Sequence, residues 1–199
     1  RDFCLSRGLG DVYKRQMLKY LKHLFQLILS PGHGWEDISA SRIDSRALAS
    51  AGFYPLTALT ALTEFVARFY HDSLTVSQLL MNAITTFVMF FIGYFISTFA
   101  ISFFMAGVTD GDVSEQRNHT FVLYVLGLLE LLMIVQNCVP VPMAIIFFLP
   151  VYVVIIMWKA SRYLRIVSGM TGRFVAGSVA GVLAPPYLLM LLMNIVLPS

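Results

Sequence analysis

The sequence predicts an all-α fold: a polytopic membrane helical bundle of five transmembrane helices preceded by an amphipathic interfacial helix. Three observations carry this. Of the 199 residues, 58% are hydrophobic and 13% charged, whereas a soluble domain has about half its residues apolar and about a quarter charged. Mean hydropathy is +0.76. Five apolar stretches also alternate with short polar connectors. Too little polar surface remains to cover a soluble globule. The composition therefore excludes a soluble enzyme and a disordered tail, and two cysteines do not make a disulfide scaffold.

Residues 1–16, RDFCLSRGLGDVYKRQ, are polar and show neither helical nor strand periodicity. They lack the basic start, apolar middle and small-residue cleavage site of a signal peptide. The stretch RGLGDVYKRQ resembles translated sequencing-adaptor read-through, so a non-native extension is expected; a natural disordered arm is the alternative. Setting it aside removes two of the three net positive charges and leaves Cys138 as the remaining cysteine. The net charge is then no sign of nucleic-acid binding, and one cysteine cannot close an internal disulfide.

Residues 17–46 are expected to form a cytoplasmic or interfacial segment. In MLKYLKHLFQLIL (Met17–Leu29), Lys19, Lys22, His23 and Gln26 share one helix face. Thirteen residues cannot cross a hydrocarbon core of about 30 Å at 1.5 Å per residue. The helix either lies in the membrane interface with its basic face to the headgroups, or packs on the bundle with that face in water. Ser30-Pro31-Gly32 breaks it. Trp35 and Ile38 then share a face of a second short helix, with Trp35 a candidate interfacial anchor alongside Lys19 and Lys22. Asp44 or Ser45 is the expected N-cap of the next helix.

The membrane domain, 47–199, has spans expected near 47–66, 83–106, 120–136, 143–158 and 174–197. Pro55 lies inside the first. The apolar run 74–108 would be about 52 Å long as one helix, so Gln78 and Asn82 assign its start to the interface. Asn137-Cys138-Val139-Pro140-Val141-Pro142 is a turn, because proline blocks continuous helix. Spans three and four are short, and a re-entrant hairpin is the alternative there. Pro150 interrupts the fourth span and Pro185-Pro186 the fifth.

Nine basic residues fall on one side of this topology: Lys19, Lys22, Arg42, Arg46, Arg117, Lys159, Arg162, Arg165 and Arg173. Arg68 falls on the other. The positive-inside rule then expects a cytoplasmic N-terminus and an external C-terminus.

Glu130 sits near the middle of the third span. A charge there costs about 2.5–3.5 kcal/mol or more, so Glu130 is either a proton or cation site or a neutral acid bonded to another helix. With Pro185 and Pro186, whose ring closure frees backbone carbonyls that lipid cannot satisfy, it forms a candidate intramembrane polar site. Broken helices also hold substrates in transporters, usually with a matching break in a second half; Pro150 is the candidate match. Gly177 and Gly181 are candidate helix-packing residues. Glu64 and Arg68, spaced i, i+4, suit a surface ion pair with Arg68 reaching the headgroups. His33, His71 and His119 have no metal-ligand spacing, and Asp110 and Asp112 lack the rest of a calcium loop. No catalytic residue, cofactor or metal is expected.

The order of parts resembles the bacterial type of the Yip domain family, named for the eukaryotic Ypt-interacting proteins. An N-terminal helix leads to Ser30-Pro31, then Trp35 with Ile38, a connector and five spans; the resemblance covers Met17–Ser199. It implies an integral, non-catalytic membrane protein, in a bacterial inner membrane. The eukaryotic relatives bind small lipid-modified GTPases and curvature-shaping proteins. Their Asp-Leu-Tyr-Gly-Pro motif is missing here, so GTPase binding is not carried over, nor is any site residue. The expected partners are the lipid bilayer and a membrane or cytoplasmic protein, without nucleic acid. A small transporter or proton-linked channel using Glu130 and the Pro185-Pro186 break is the alternative.

Overall fold

A computed structural model describes residues 2–69, 75–140 and 143–196, with side chains described except at 2–12, 67, 68 and 143–147. His71, Asp72, Pro142, Leu197 and the Arg68 side chain, all used above, lie outside the described residues. The elements are α1 (Asp2–Leu29), α2 (Pro31–Ser41), α3 (residues 45–63), a 3₁₀ turn (Val66–Phe69), α4 (Val76–Met105), α5 (Glu115–Cys138), α6 (Met143–Lys159) and α7 (Thr171–Val196). Among the described residues there is no strand, only an isolated antiparallel bridge between Thr109 and Ile166. Helices α4, α5 and α7 are long and apolar enough to cross a membrane, which marks the chain as a membrane protein. Phe91, Phe95, Phe99 and Phe103 on α4 and Leu188, Leu191 and Ile195 on α7 stay exposed on the bundle surface, as lipid-facing residues do.

Two boundaries differ from the sequence expectation. Helix α1 runs without interruption from Asp2, not from Met17. Helix α4 begins at Val76 rather than near Ala83, because Thr75 caps it: its hydroxyl accepts from the Gln78 amide while the Gln78 side chain accepts from the Thr75 amide. Gln78 thus closes the N-terminal cap of a helix that is continuous through the expected interfacial stretch. At 30 residues, α4 is about 45 Å long and must tilt or project from a membrane.

Helix α5 is the centre of the fold. Residues 120–130 are buried on every face, and α5 meets α1, α3, α4, α6 and α7. The N-terminal segment supplies one wall of that core. Tyr20, Leu24 and Leu27 of α1 are fully buried, while Lys19 and Lys22 stay exposed. The polar stripe read from sequence therefore divides: Gln26 bonds Asp37, and His23 turns inward to share a 2.8 Å hydrogen bond with the Tyr124 hydroxyl. The packed arrangement, not a free interfacial helix, is the one observed.

Trp35 also departs from expectation. It is 2% exposed rather than presented to headgroups. Its indole N–H donates to the Ile156 carbonyl at 2.9 Å, its ring stacks on Tyr163, and Phe121 and Tyr124 complete the cage. An indole buried in the protein is bound to satisfy its one donor there.

Tyr20 is the tightest of these contacts. Its hydroxyl donates to the Leu123 carbonyl at 2.8 Å. It reaches that carbonyl because Gly127, one turn on, carries no side chain: a Cβ at Gly127 would overlap the hydroxyl, and one at Gly52 would overlap the ring. Gly127→Ala should accordingly cost about 1–3 kcal/mol through overpacking, read as a lowered Tm in detergent. Tyr20→Phe should cost about 1 kcal/mol for the lost hydrogen bond, and pairing it with Gly127→Ala should recover part of the glycine penalty.

Burial lowers the His23 pKa, and Lys19 and Lys22 add to that while Asp37 opposes it. A depressed native value means that the unfolded chain binds more protons as pH falls. Stability should therefore be full above pH ~6.5, the usual histidine value, and decline below it. His23→Gln should flatten that part of a stability–pH curve; an unchanged slope would assign the titration to another group.

Candidate functional site

Glu130 is fully buried. Its Oε1 meets the Thr57 hydroxyl on α3, and its Oε2 has no hydrogen-bond partner among the described residues. Thr57 also lies 3.0 Å from the Phe53 carbonyl. A hydroxyl has one hydrogen, and Thr57 faces two oxygens. Both contacts are hydrogen bonds when the carboxyl carries a proton: Glu130 then donates to Thr57, and Thr57 donates to Phe53. The contact joins Glu130 of α5 to α3.

The contact belongs to a longer polar seam that the sequence reading missed. Thr57, Thr60 and Thr63 line one face of α3 at intervals of three, and all are buried. Asn137, seven residues beyond Glu130 on α5, donates to Thr63 at 3.1 Å. Glu64 is 8% exposed and accepts from Thr86 of α4 at 2.9 Å. Glu64 is thus an inward group bonded to α4 rather than a surface one, and its expected pairing with Arg68 lies outside the described residues. The regular threonine spacing, with Glu130 and Asn137 two turns apart, was the available signal. Threonine hides easily because it can satisfy its hydroxyl on its own helix, as Thr60 does on the Leu56 carbonyl.

Pro185 and Pro186 do not join this seam. Both are buried, and Pro186 packs on Gly93 of α4. Pro186 lines an apolar cavity of about 370 Å³ with Pro150, Gln136, Met89 and Leu129; Glu130 points instead to α3. The chain accommodates the break with a π turn, Val179–Leu183, in which the Ala184 amide reaches back five residues to Val179. Helix α3 does the same: Ala49–Phe53 is a π turn, closed by Tyr54 on Ala49, and Pro55 follows. A proline ring collides with the carbonyl four residues back and offers no donor to it; a widened turn relieves both problems. The structural match to Pro185 is therefore Pro55, not Pro150. Gly177 and Gly181 face α4, where a Cβ would overlap Phe104 or lie 3.4 Å from Ala100, so both serve packing within the bundle.

The basic segments meet at one end. Gln116 donates to the Ile43 carbonyl at 3.2 Å. The Asp110 amide donates to the Arg165 carbonyl at 2.9 Å and the Val167 amide to the Val108 carbonyl at 3.0 Å. Arg42 ends α2 in the left-handed conformation, φ 43°. It lines two adjoining recesses of about 380 and 720 Å³, the first with Arg117 and the second with Lys159 and Arg162; Tyr163 belongs to both. Burial raises the Tyr163 pKa, which a hydrogen bond to Thr120 and the charge of Arg117 oppose. Among the described residues the one ion pair within 4 Å is His33 with Glu36, at 3.2 Å, so these four cations face no carboxylate at that range. No group of three or more metal-ligating side chains occurs among the described residues.

Thr57→Val should cost about 1–3 kcal/mol, because it strands a buried carboxyl. In a double-mutant cycle with Glu130→Leu, thermal unfolding in detergent should show coupling of about 0.5–3 kcal/mol, since the paired change removes donor and acceptor together. Strict additivity would mean that the two groups do not bond.

No family model matches the chain, and no curated protein or solved structure is significantly similar to it.

Proposed function

We propose that the chain is a Yip-like integral membrane protein that acts as a non-catalytic scaffold, holding a basic platform at one membrane surface for a lipid or protein partner. The observation that carries this reading is the meeting of the 42–46, 108–117 and 159–173 segments at one end of the bundle, where Arg42, Arg117, Lys159 and Arg162 make no ion pair within 4 Å among the described residues. Five spans fit this arrangement: besides the three long helices, residues 45–63 and Met143–Lys159 are about 28 and 26 Å long, close to the hydrocarbon thickness. The positive-inside rule makes the basic end cytoplasmic, and the family resemblance implies a bacterial inner membrane. Because α1 and α2 wall the core, deleting them would unfold the protein rather than remove an arm.

The test keeps the chain intact. Photo-reactive side chains at Arg162 and Glu36 should give discrete lipid or protein adducts in membranes. One at the apolar surface position Phe99 should give only bulk lipid. Identical patterns at all three positions would sink the scaffold reading.

One observation favours a proton-linked transporter as a second reading. Glu130 meets Thr57 beside a proline-broken π turn, and α4 packs between the two helices that carry such turns. This reading expects proton flux in liposomes that Glu130→Gln abolishes; flux indifferent to the change removes the role assigned to Glu130.

A further inference from the structure

We infer that the basic end binds an anionic glycerophospholipid, with its phosphate between α2 and the 160–170 loop and an acyl chain in the groove between α6 and α7. This deepens the scaffold reading and rests on its placement of the basic end at a membrane surface.

Two recesses of opposite character meet at one residue. The polar one, about 720 Å³, is lined by Arg42, Lys159, Arg162, Ser39 and Ser161. Its single acid, Glu36, is engaged by His33. The apolar one, about 560 Å³, runs between Val154 and Ile155 on α6 and Val175 and Ala176 on α7. Trp158 lines both and is 55% exposed, with the Lys159 ammonium 5.6 Å from its ring. An amphiphile has this same order of parts. Guanidinium groups hold a phosphate through paired N–H donors, hydroxyls and an ammonium complete the shell, tryptophan suits the depth where headgroup gives way to chain, and basic recesses between membrane helices suit anionic headgroups. A free phosphate would satisfy the cations and leave the adjoining groove empty. A zwitterionic lipid would fill the groove and bring its own cation to a cationic recess.

The two tryptophans of the chain make the test optical. The full chain is reconstituted with phosphatidylglycerol or phosphatidylcholine carrying brominated acyl chains, which quench nearby indoles. Trp158→Phe isolates the share that comes from buried Trp35. Quenching of Trp158 should report about fivefold or greater preference for phosphatidylglycerol. Arg42→Gln with Arg162→Gln should abolish that preference, and Lys14→Gln, at an exposed residue that lines neither recess, should leave it unchanged. Thermal unfolding checks that each variant is folded. Equal quenching by both lipids overturns the proposal, as does a preference that survives the paired arginine change. Protection by inorganic phosphate alone, without a lipid preference, assigns the cations to a small anion and also overturns it. The scaffold reading fails separately, through adducts that do not distinguish the basic end from Phe99.

Discussion

The hydrogen bond from Tyr20 to the Leu123 carbonyl, 2.8 Å long, decides how the rest of the bundle closes. It crosses from α1 to the central helix through the space that Gly127 leaves open, with the ring lying against Gly52 in the π turn of α3. One side chain thereby sets the distances among three elements. Around it, His23 meets Tyr124, Trp35 meets Ile156, and the Tyr152 hydroxyl donates to Ile28. Each is a polar group on an otherwise apolar surface that would be costly to bury alone. Together they make the N-terminal segment a wall of the core.

The same constraint explains the two broken helices. A proline in a membrane helix leaves carbonyls that lipid cannot answer. Here each break is preceded by a π turn and covered by protein. Helix α4 runs between them, and its close approach at Gly93 to Pro186, with Gly181 opposite Ala100, fixes α7 antiparallel to it. Small residues lie where the backbones must approach, and the prolines lie where the helix surface is sealed.

Much of the architecture was legible because apolar runs report burial or lipid contact without needing to know the neighbours. The three long apolar helices, the start of α3 after Asp44 and the burial of Glu130 all follow from such local pattern. What the sequence hid depends on partners far along the chain. His23 resembles its basic neighbours on the helical wheel, and only Tyr124, 101 residues away, turns it inward. Trp35 carries an amphipathic ring that suits an interface or a polar cage equally, and the carbonyl of Ile156 decides between them. The threonine seam was silent because each hydroxyl can be satisfied on its own helix. The match between Pro55 and Pro185 is invisible to residue identity, since Ala49–Phe53 and Val179–Leu183 share a backbone geometry more than a sequence. The basic recesses are assembled from three separated segments, none of which looks like a site by itself.

The two polar regions of the molecule differ in a way that bears on function. The Glu130 seam is buried, and its carboxyl is engaged by Thr57 through Oε1, with Oε2 unpartnered among the described residues. At the basic end the balance is reversed. Open volume lies beside several cations, and the nearby acid is turned toward His33. Charge without a counter-charge is costly only where solvent is excluded, so these side chains cost little while exposed and gain most when an anion brings its own apolar cover. An anion with a chain attached meets that condition where an isolated ion does not. On the proposed reading, the interior of the bundle is structure and its basic rim is where a partner binds.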